Sequence, residues 1–88
     1  MKINFTEMGW ADYLYWQMQD KKTIKRINQL IKDIERNGSL NGIGRPEPLK
    51  GDLTGWCSRR IDDTNRLVYR LRDDSLEIGQ CRGHYSNK

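Results

Sequence analysis

The chain has little of what metal centres, disulfide scaffolds and membrane spans are made from. It carries one histidine, His84, and two cysteines, Cys57 and Cys81, that lie far apart in the sequence. No spacing of Cys or His resembles a zinc site, so no metal and no other cofactor is expected. Nowhere do about 18 apolar residues follow one another, as a membrane-spanning helix requires. The opening "MKINFTEMGW" also lacks the apolar run of a signal peptide. A cytoplasmic protein with reduced thiols and no membrane contact is the expectation. Both prolines, Pro46 and Pro48, fall in one short stretch, "RPEPLKG".

What is present is charge, with a modest apolar set. A chain of 88 residues has room for one domain, 1–88, with a limited core. Charged residues make up 32% and hydrophobic residues 35%, with a mean hydropathy of -0.94, so the surface is very polar. Regular apolar patterning and the three Trp, four Tyr and one Phe argue against disorder. Sixteen Lys and Arg against twelve Asp and Glu leave +4, a bias that favours polyanions by long-range attraction.

"KINF" alternates polar and apolar side chains and reads as a short strand, after which Thr6 offers a helix N-cap. In "WADYLYWQ", Trp10, Tyr13, Leu14 and Gln17 fall at i, i+3, i+4 and i+7. That face is expected to be core rather than a base-stacking platform. Asp20 can cap a second helix in which Ile24, Ile27, Leu30, Ile31 and Ile34 recur at helical spacing, ending where Asn37 and Gly38 suit a C-terminal cap. Its Lys21, Lys22, Lys25, Arg26 and Lys32 form a basic face, either solvated or laid along RNA phosphates. Residues 38–55 read as a long structured loop. "WCSRRI", "NRLVYRLR" and "LEIGQCRG" then read as strands joined by the turn-formers "DDTN" and "DDS". The order implies an α+β fold, two N-terminal helices packed on one face of a twisted, mainly antiparallel sheet, with the other face open for binding.

The chemistry-bearing candidates lie in the loop and the strands. Glu47 stands between two prolines on stiff backbone, which a positioned base needs, and Arg45 and Lys50 flank it with positive charge. In "NRLVYRLR", Leu67, Tyr69 and Leu71 point to one face while Arg66, Val68, Arg70 and Arg72 point to the other. Arg59 and Arg60 add charge on the preceding strand, but adjacent strand residues face opposite ways, so only one of them can join the open face. If "RDDS" closes a hairpin with Leu71 opposite Leu76, strict alternation sends His84 to the face away from Arg66. A bulge at Gly79, a bulge at Gly83, or departure from the strand before His84 would each reunite them, and the sequence leaves all three open.

Taken together, "WADYLYWQ", "KRINQLIKDI", "GRPEPLKG", "GWCSRRI", "NRLVYRL" and the terminal "CRGHY" give a sequence that resembles the Txe/YoeB toxins of the RelE superfamily, bacterial messenger RNA interferases paired with an antitoxin. The resemblance covers nearly the full chain and departs only at the tail, where "SNK" follows Tyr85 and Gly83 precedes His84. It implies a RelE-like, microbial ribonuclease-like fold. It also implies Glu47 as general base, Arg66 at the scissile phosphate, His84 as general acid and Tyr85 as the tyrosine that orients substrate. Lys50 and Arg60 match positions that contact RNA, and Arg45 and Arg59 are further candidates for that role. The implied partners are messenger RNA, the ribosome and a cognate antitoxin of the YefM/Axe kind, with a homodimer left open.

Physical chemistry reaches a compatible mechanism. RNA carries its own nucleophile, the 2′-hydroxyl, so cleavage needs a base for that proton, an acid for the departing 5′-oxygen and positive charge for the transition state. Glutamate, histidine and arginine meet those needs without a metal. The expected function is a ribosome-dependent endoribonuclease toxin that inhibits translation and is neutralised by its antitoxin. The rival reading is a non-catalytic module of the same superfamily that acts on RNA or a protein target.

Overall fold

Single polar side chains set the element boundaries. The computed structural model describes residues 1–84. Thr6 separates the first strand, β1 (Lys2–Phe5), from the first helix, α1 (Glu7–Gln19). Its hydroxyl accepts from the Gly9 N–H at 3.0 Å and donates to the Gly79 carbonyl at 3.0 Å, which caps the helix and ties it to the sheet. Asp20 ends α1 and caps α2 (Lys21–Asn37), accepting from the Lys22 N–H and the Thr23 hydroxyl. The Thr23 bond outweighs burial and, with Lys22, holds the Asp20 carboxyl below its ordinary value. Gly38, with φ of 89°, closes α2.

The rest of the chain builds β2 (Glu47–Pro48), a 3₁₀ turn (Gly51–Leu53), β3 (Cys57–Arg60), β4 (Arg66–Arg72) and β5 (Ser75–Gln80). The sheet order is β1-β5-β4-β3-β2, with β1 parallel to β5 and every other pair antiparallel. Asp73 and Asp74, both at positive φ, make the two-residue turn between β4 and β5. Ile27, Leu30, Ile31 and Ile34 of α2 pack on Leu67, Tyr69, Leu76 and Ile78, and Tyr13 and Trp16 of α1 join the same core. The α+β arrangement, with both helices on one face, is the one the sequence implies.

Two expectations change. Of the stripe of Trp10, Tyr13, Leu14 and Gln17, Tyr13 packs against the core, while Trp10 is 48% and Leu14 39% exposed. The helix instead meets the sheet through Gly9, Asp12, Tyr13 and Trp16. A Cβ on Gly9 would stand 2.4 Å from the Ile78 carbonyl oxygen. Asp12 accepts from the Cys81 N–H at 3.0 Å, and the Trp16 indole donates to the Cys81 carbonyl at 2.7 Å. Half of this contact face is a glycine and an aspartate, which carry no apolar signal to read.

The helix-free face is also less open than expected. Val68 points to it and is still buried, and Trp56 and Leu53 border a hollow with Val68 and Gly79 there. The Arg70 guanidinium sits 4.3 Å from the Trp56 ring centroid and bonds Glu77 at 2.6 Å.

Candidate active-site cleft

Alternation along the strands gathers the charged groups. Glu47 pairs with Ser58, Ser58 with Val68, and Arg60 with Arg66, so Glu47, Ser58, Arg60 and Arg66 share the helix-free face across β2, β3 and β4. Arg45 lies two residues before Glu47 and joins them. The two prolines confine β2 to a short edge, since neither can donate to a ladder. The segment is nonetheless zipped to β3 beyond both ends: the Arg60 N–H donates to the Gly44 carbonyl at 2.6 Å and the Leu49 N–H to the Trp56 carbonyl at 2.9 Å.

Two features bring His84 to the same side as Arg66. The hairpin keeps Leu71 opposite Leu76 and Tyr69 opposite Ile78, then shifts register so that Val68 faces Gln80, leaving Gly79 as the extra residue. A Cβ there would lie 2.9 Å from the Trp56 ring, so glycine suits the bulge. β5 then ends at Gln80, and Gly83, at φ of 75°, turns the chain. Of the three routes the sequence leaves open, the bulge at Gly79 and the early departure act together.

The result is a cleft of about 300 Å³ lined by Arg45, Glu47, Ser58, Arg60, Arg66 and His84. Arg66 is held through Nη1, which donates to the Asp62 carbonyl at 2.7 Å and to the Asn65 carbonyl at 3.1 Å. Three guanidinium groups beside one carboxylate and one imidazole make a site fit to hold a phosphate with a base and an acid at hand. Among the described residues, no three His, Cys, Asp or Glu side chains gather as metal ligands would.

The other candidates fall elsewhere. Lys50 is exposed and does not line the cleft. Tyr85 lies outside the described residues. Arg59 is corrected: it is fully buried on the helix side and cannot meet RNA. Its Nε donates to the Tyr69 hydroxyl, Nη1 to Asp33 and the Ile43 carbonyl, and Nη2 to the carbonyls of Gly38 and Asn41. All five donors are thus used, three of them on carbonyls of the loop that leads to Arg45 and Glu47. Burial opposes ionisation of Asp33, but Arg59 and the Ile43 N–H outweigh it and hold that carboxyl below its ordinary value. Ser58 was missed by the sequence reading, although its place two residues before Arg60 and its neutral hydroxyl were visible signals.

Fold and cleft together define a small α+β domain whose helix-free face carries a basic, phosphate-sized cleft. The solved structure of a YoeB/ParE toxin from Agrobacterium tumefaciens superposes with a TM-score of 0.92 at 45% identity, covering 97% of this chain and 100% of that one. The YoeB toxin of Streptomyces coelicolor is 59% identical over 97% of this chain and all of its own length. In a YoeB–YefM toxin–antitoxin complex from Staphylococcus aureus, the similar chain has 49% identity and a TM-score of 0.90, with 97% of this chain and 98% of that one covered. Residues 5–85 match the YoeB-like toxins of bacterial type II toxin-antitoxin systems, and the chain belongs to that family. No described helix is long and apolar enough to cross a membrane.

Proposed function

We propose that this toxin is a ribosome-dependent endoribonuclease that cleaves messenger RNA and so stops translation. The observation that carries the reading is the convergence of Glu47, Arg66 and His84 on one basic cleft. Glu47 removes the 2′-hydroxyl proton of the nucleotide before the cut. The 2′-oxygen attacks phosphorus, and His84 gives a proton to the departing 5′-oxygen. The products are a free 5′-hydroxyl and a 2′,3′-cyclic phosphate, or the 3′-phosphate that its hydrolysis by water gives. Arg66 opposes the charge that builds on the phosphorane through a charge-assisted contact, and Arg60 contacts the RNA beside it. Arg45 and Lys50 guide the RNA backbone. Tyr85, by family resemblance, orients the substrate.

The partners follow from relatives and charge. Staphylococcus aureus YoeB is solved both as a heterotetramer with YefM and as a dimer. For this chain the reading is a YefM/Axe-like antitoxin whose acidic segment folds on binding, in the cytoplasm, around a single toxin domain of residues 1–88. Adding the purified protein to a translating extract and mapping messenger ends tests the whole reading. Cuts within the ribosomal A site, abolished by 2′-deoxy substitution at the cut, are expected. Translation arrest with intact messenger would leave the binding-module reading in its place.

A further inference from the structure

The paired part of the β4–β5 ladder stops short of His84. The ladder between β4 and β5 has its last register pair at Val68 and Gln80, four residues earlier. Two anchors hold the chain beyond it. Cys81 is gripped by Asp12 and Trp16 of α1, which ties the strand end to the helix. Gly83, next to His84, is gripped from the loop between β3 and β4 and from the first residue of β4: its N–H donates to Asn65 Oδ1 at 2.7 Å, and its carbonyl accepts from the Arg66 N–H at 3.0 Å.

The Asn65 side chain is built for that grip. Its Nδ2 donates to both carboxylate oxygens of Asp62 at 3.1 Å, which turns Oδ1 toward Gly83. The Asn65 and Thr64 N–H groups also donate to Asp62, at 2.7 and 2.9 Å. Burial opposes ionisation of Asp62, but the Asn65 side chain, these N–H groups and Arg66 outweigh it and hold its carboxyl below the ordinary value, so the anchor keeps its charge at neutral pH. The same loop holds the Arg66 guanidinium through the carbonyls of Asp62 and Asn65. The loop therefore sets Arg66 directly and, through the Asn65 side-chain amide, joins the Arg66 N–H in holding the chain that carries His84.

We propose that Asn65 is a positioning residue that fixes His84 against Arg66 by holding Gly83, without itself touching substrate. The proposal rests on His84 serving as the general acid. A proton donor displaced by about 1 Å can lose on the order of 10²-fold in rate while substrate still binds. Loss of Asn65 therefore lowers the cleavage step and leaves binding to programmed ribosomes as it was.

His84 is the only histidine of the chain, so its ring signals in an NMR spectrum need no assignment. The experiment compares the parent with Asn65→Ala, Asn65→Asp and the double variant Asp62→Asn/Asn65→Asp. The single Asp change removes the Nδ2 donor and sets a second carboxylate beside Asp62. The double change restores a donor–acceptor pair with the roles exchanged. The readouts are the single-turnover rate and half-saturation on programmed ribosomes, thermal melting, the His84 ring signals, and their response to inorganic phosphate as the probe.

Both single variants are expected to melt near the parent, to cut roughly 10–100-fold more slowly at unchanged half-saturation, and to show His84 signals like those of an exposed peptide histidine, less responsive to phosphate. The double variant should recover both rate and signals. Parent rate with parent His84 signals in Asn65→Ala overturns the proposal. So does a slow variant whose His84 signals are unmoved, since the loop would then act through Arg66 alone. If the parent itself cuts nothing, the nuclease reading falls, and the ring signals still decide whether Asn65 holds the tail.

Discussion

Arg59 and Arg60 are neighbours in sequence that face opposite sides of β3: the first is fully buried against Asp33 and Tyr69, while the second lines the cleft. Arg59→Ala would take a donor from Asp33, from the Tyr69 hydroxyl and from three carbonyls, and breaking a buried pair of this kind costs about 3–5 kcal/mol. Arg60→Ala removes charge from a solvated wall and should melt near the parent while binding RNA more weakly. Thermal melting beside ribosome binding separates the two. Equal stability of both variants would contradict the assigned facing.

Gly9→Ala weighs helix propensity against contact. Alanine is favoured over glycine inside a helix by about 1 kcal/mol, yet its Cβ would stand 2.4 Å from the Ile78 carbonyl oxygen. Overpacking against backbone costs about 1–3 kcal/mol, so the net expectation is destabilisation. Chemical denaturation of the variant checks it, and a higher midpoint than the parent's would show that α1 does not approach β5 this closely.

Acid should unfold the protein through its anchored carboxylates. Asp20, Asp33, Asp62 and Glu77 are all held below their ordinary values, Glu77 chiefly by the Arg70 bond. A depressed carboxyl contributes stability that is complete above its unfolded value, near about 4, and is lost as pH falls through the lower folded value. The urea midpoint should therefore hold between pH 7 and about 5 and fall below about 4, with a shallower fall in Asp33→Asn. A midpoint that rises on acidification would contradict these assignments.

Much of this architecture was legible because it is carried by side chains with local jobs. The α2 stripe, the caps Thr6 and Asp20, and the stop at Gly38 each leave a mark in the sequence. The face of α1 did so only in part, because Gly9 and Asp12 share the contact with Tyr13 and Trp16 and neither of the first two is apolar. In the cleft, Glu47, Arg60, Arg66, Arg45 and His84 could be named from motif and family resemblance. Arg59 could not be told from Arg60 without knowing which face α2 covers. The route of His84 depends on a one-residue shift at Gly79, a register event that alternation alone cannot foresee. Asn65 and Asp62 read as an ordinary turn, and only the hydrogen bond to Gly83 shows that the turn holds a distant segment.

The thiols should be quiet. Burial, with Asp12 adding to it, pushes the Cys81 thiol up to about 12. Burial likewise raises Cys57, partly offset by Arg59. At pH 8 the folded protein should leave Cys81 unlabelled by iodoacetamide and label Cys57 more slowly than a free thiol. Mass spectrometry with and without denaturant reads both sites, and rapid native labelling of Cys81 would contradict its burial.

The most direct measurement is single-turnover messenger cleavage on programmed ribosomes by the parent, Glu47→Ala and His84→Ala, each checked by circular dichroism and ribosome binding. Loss of a positioned proton-transfer group predicts slowing on the order of 10²–10⁴-fold in each variant with fold and binding retained. Folded, ribosome-bound variants that cut at the parent rate would contradict the assignment of Glu47 as base and His84 as acid.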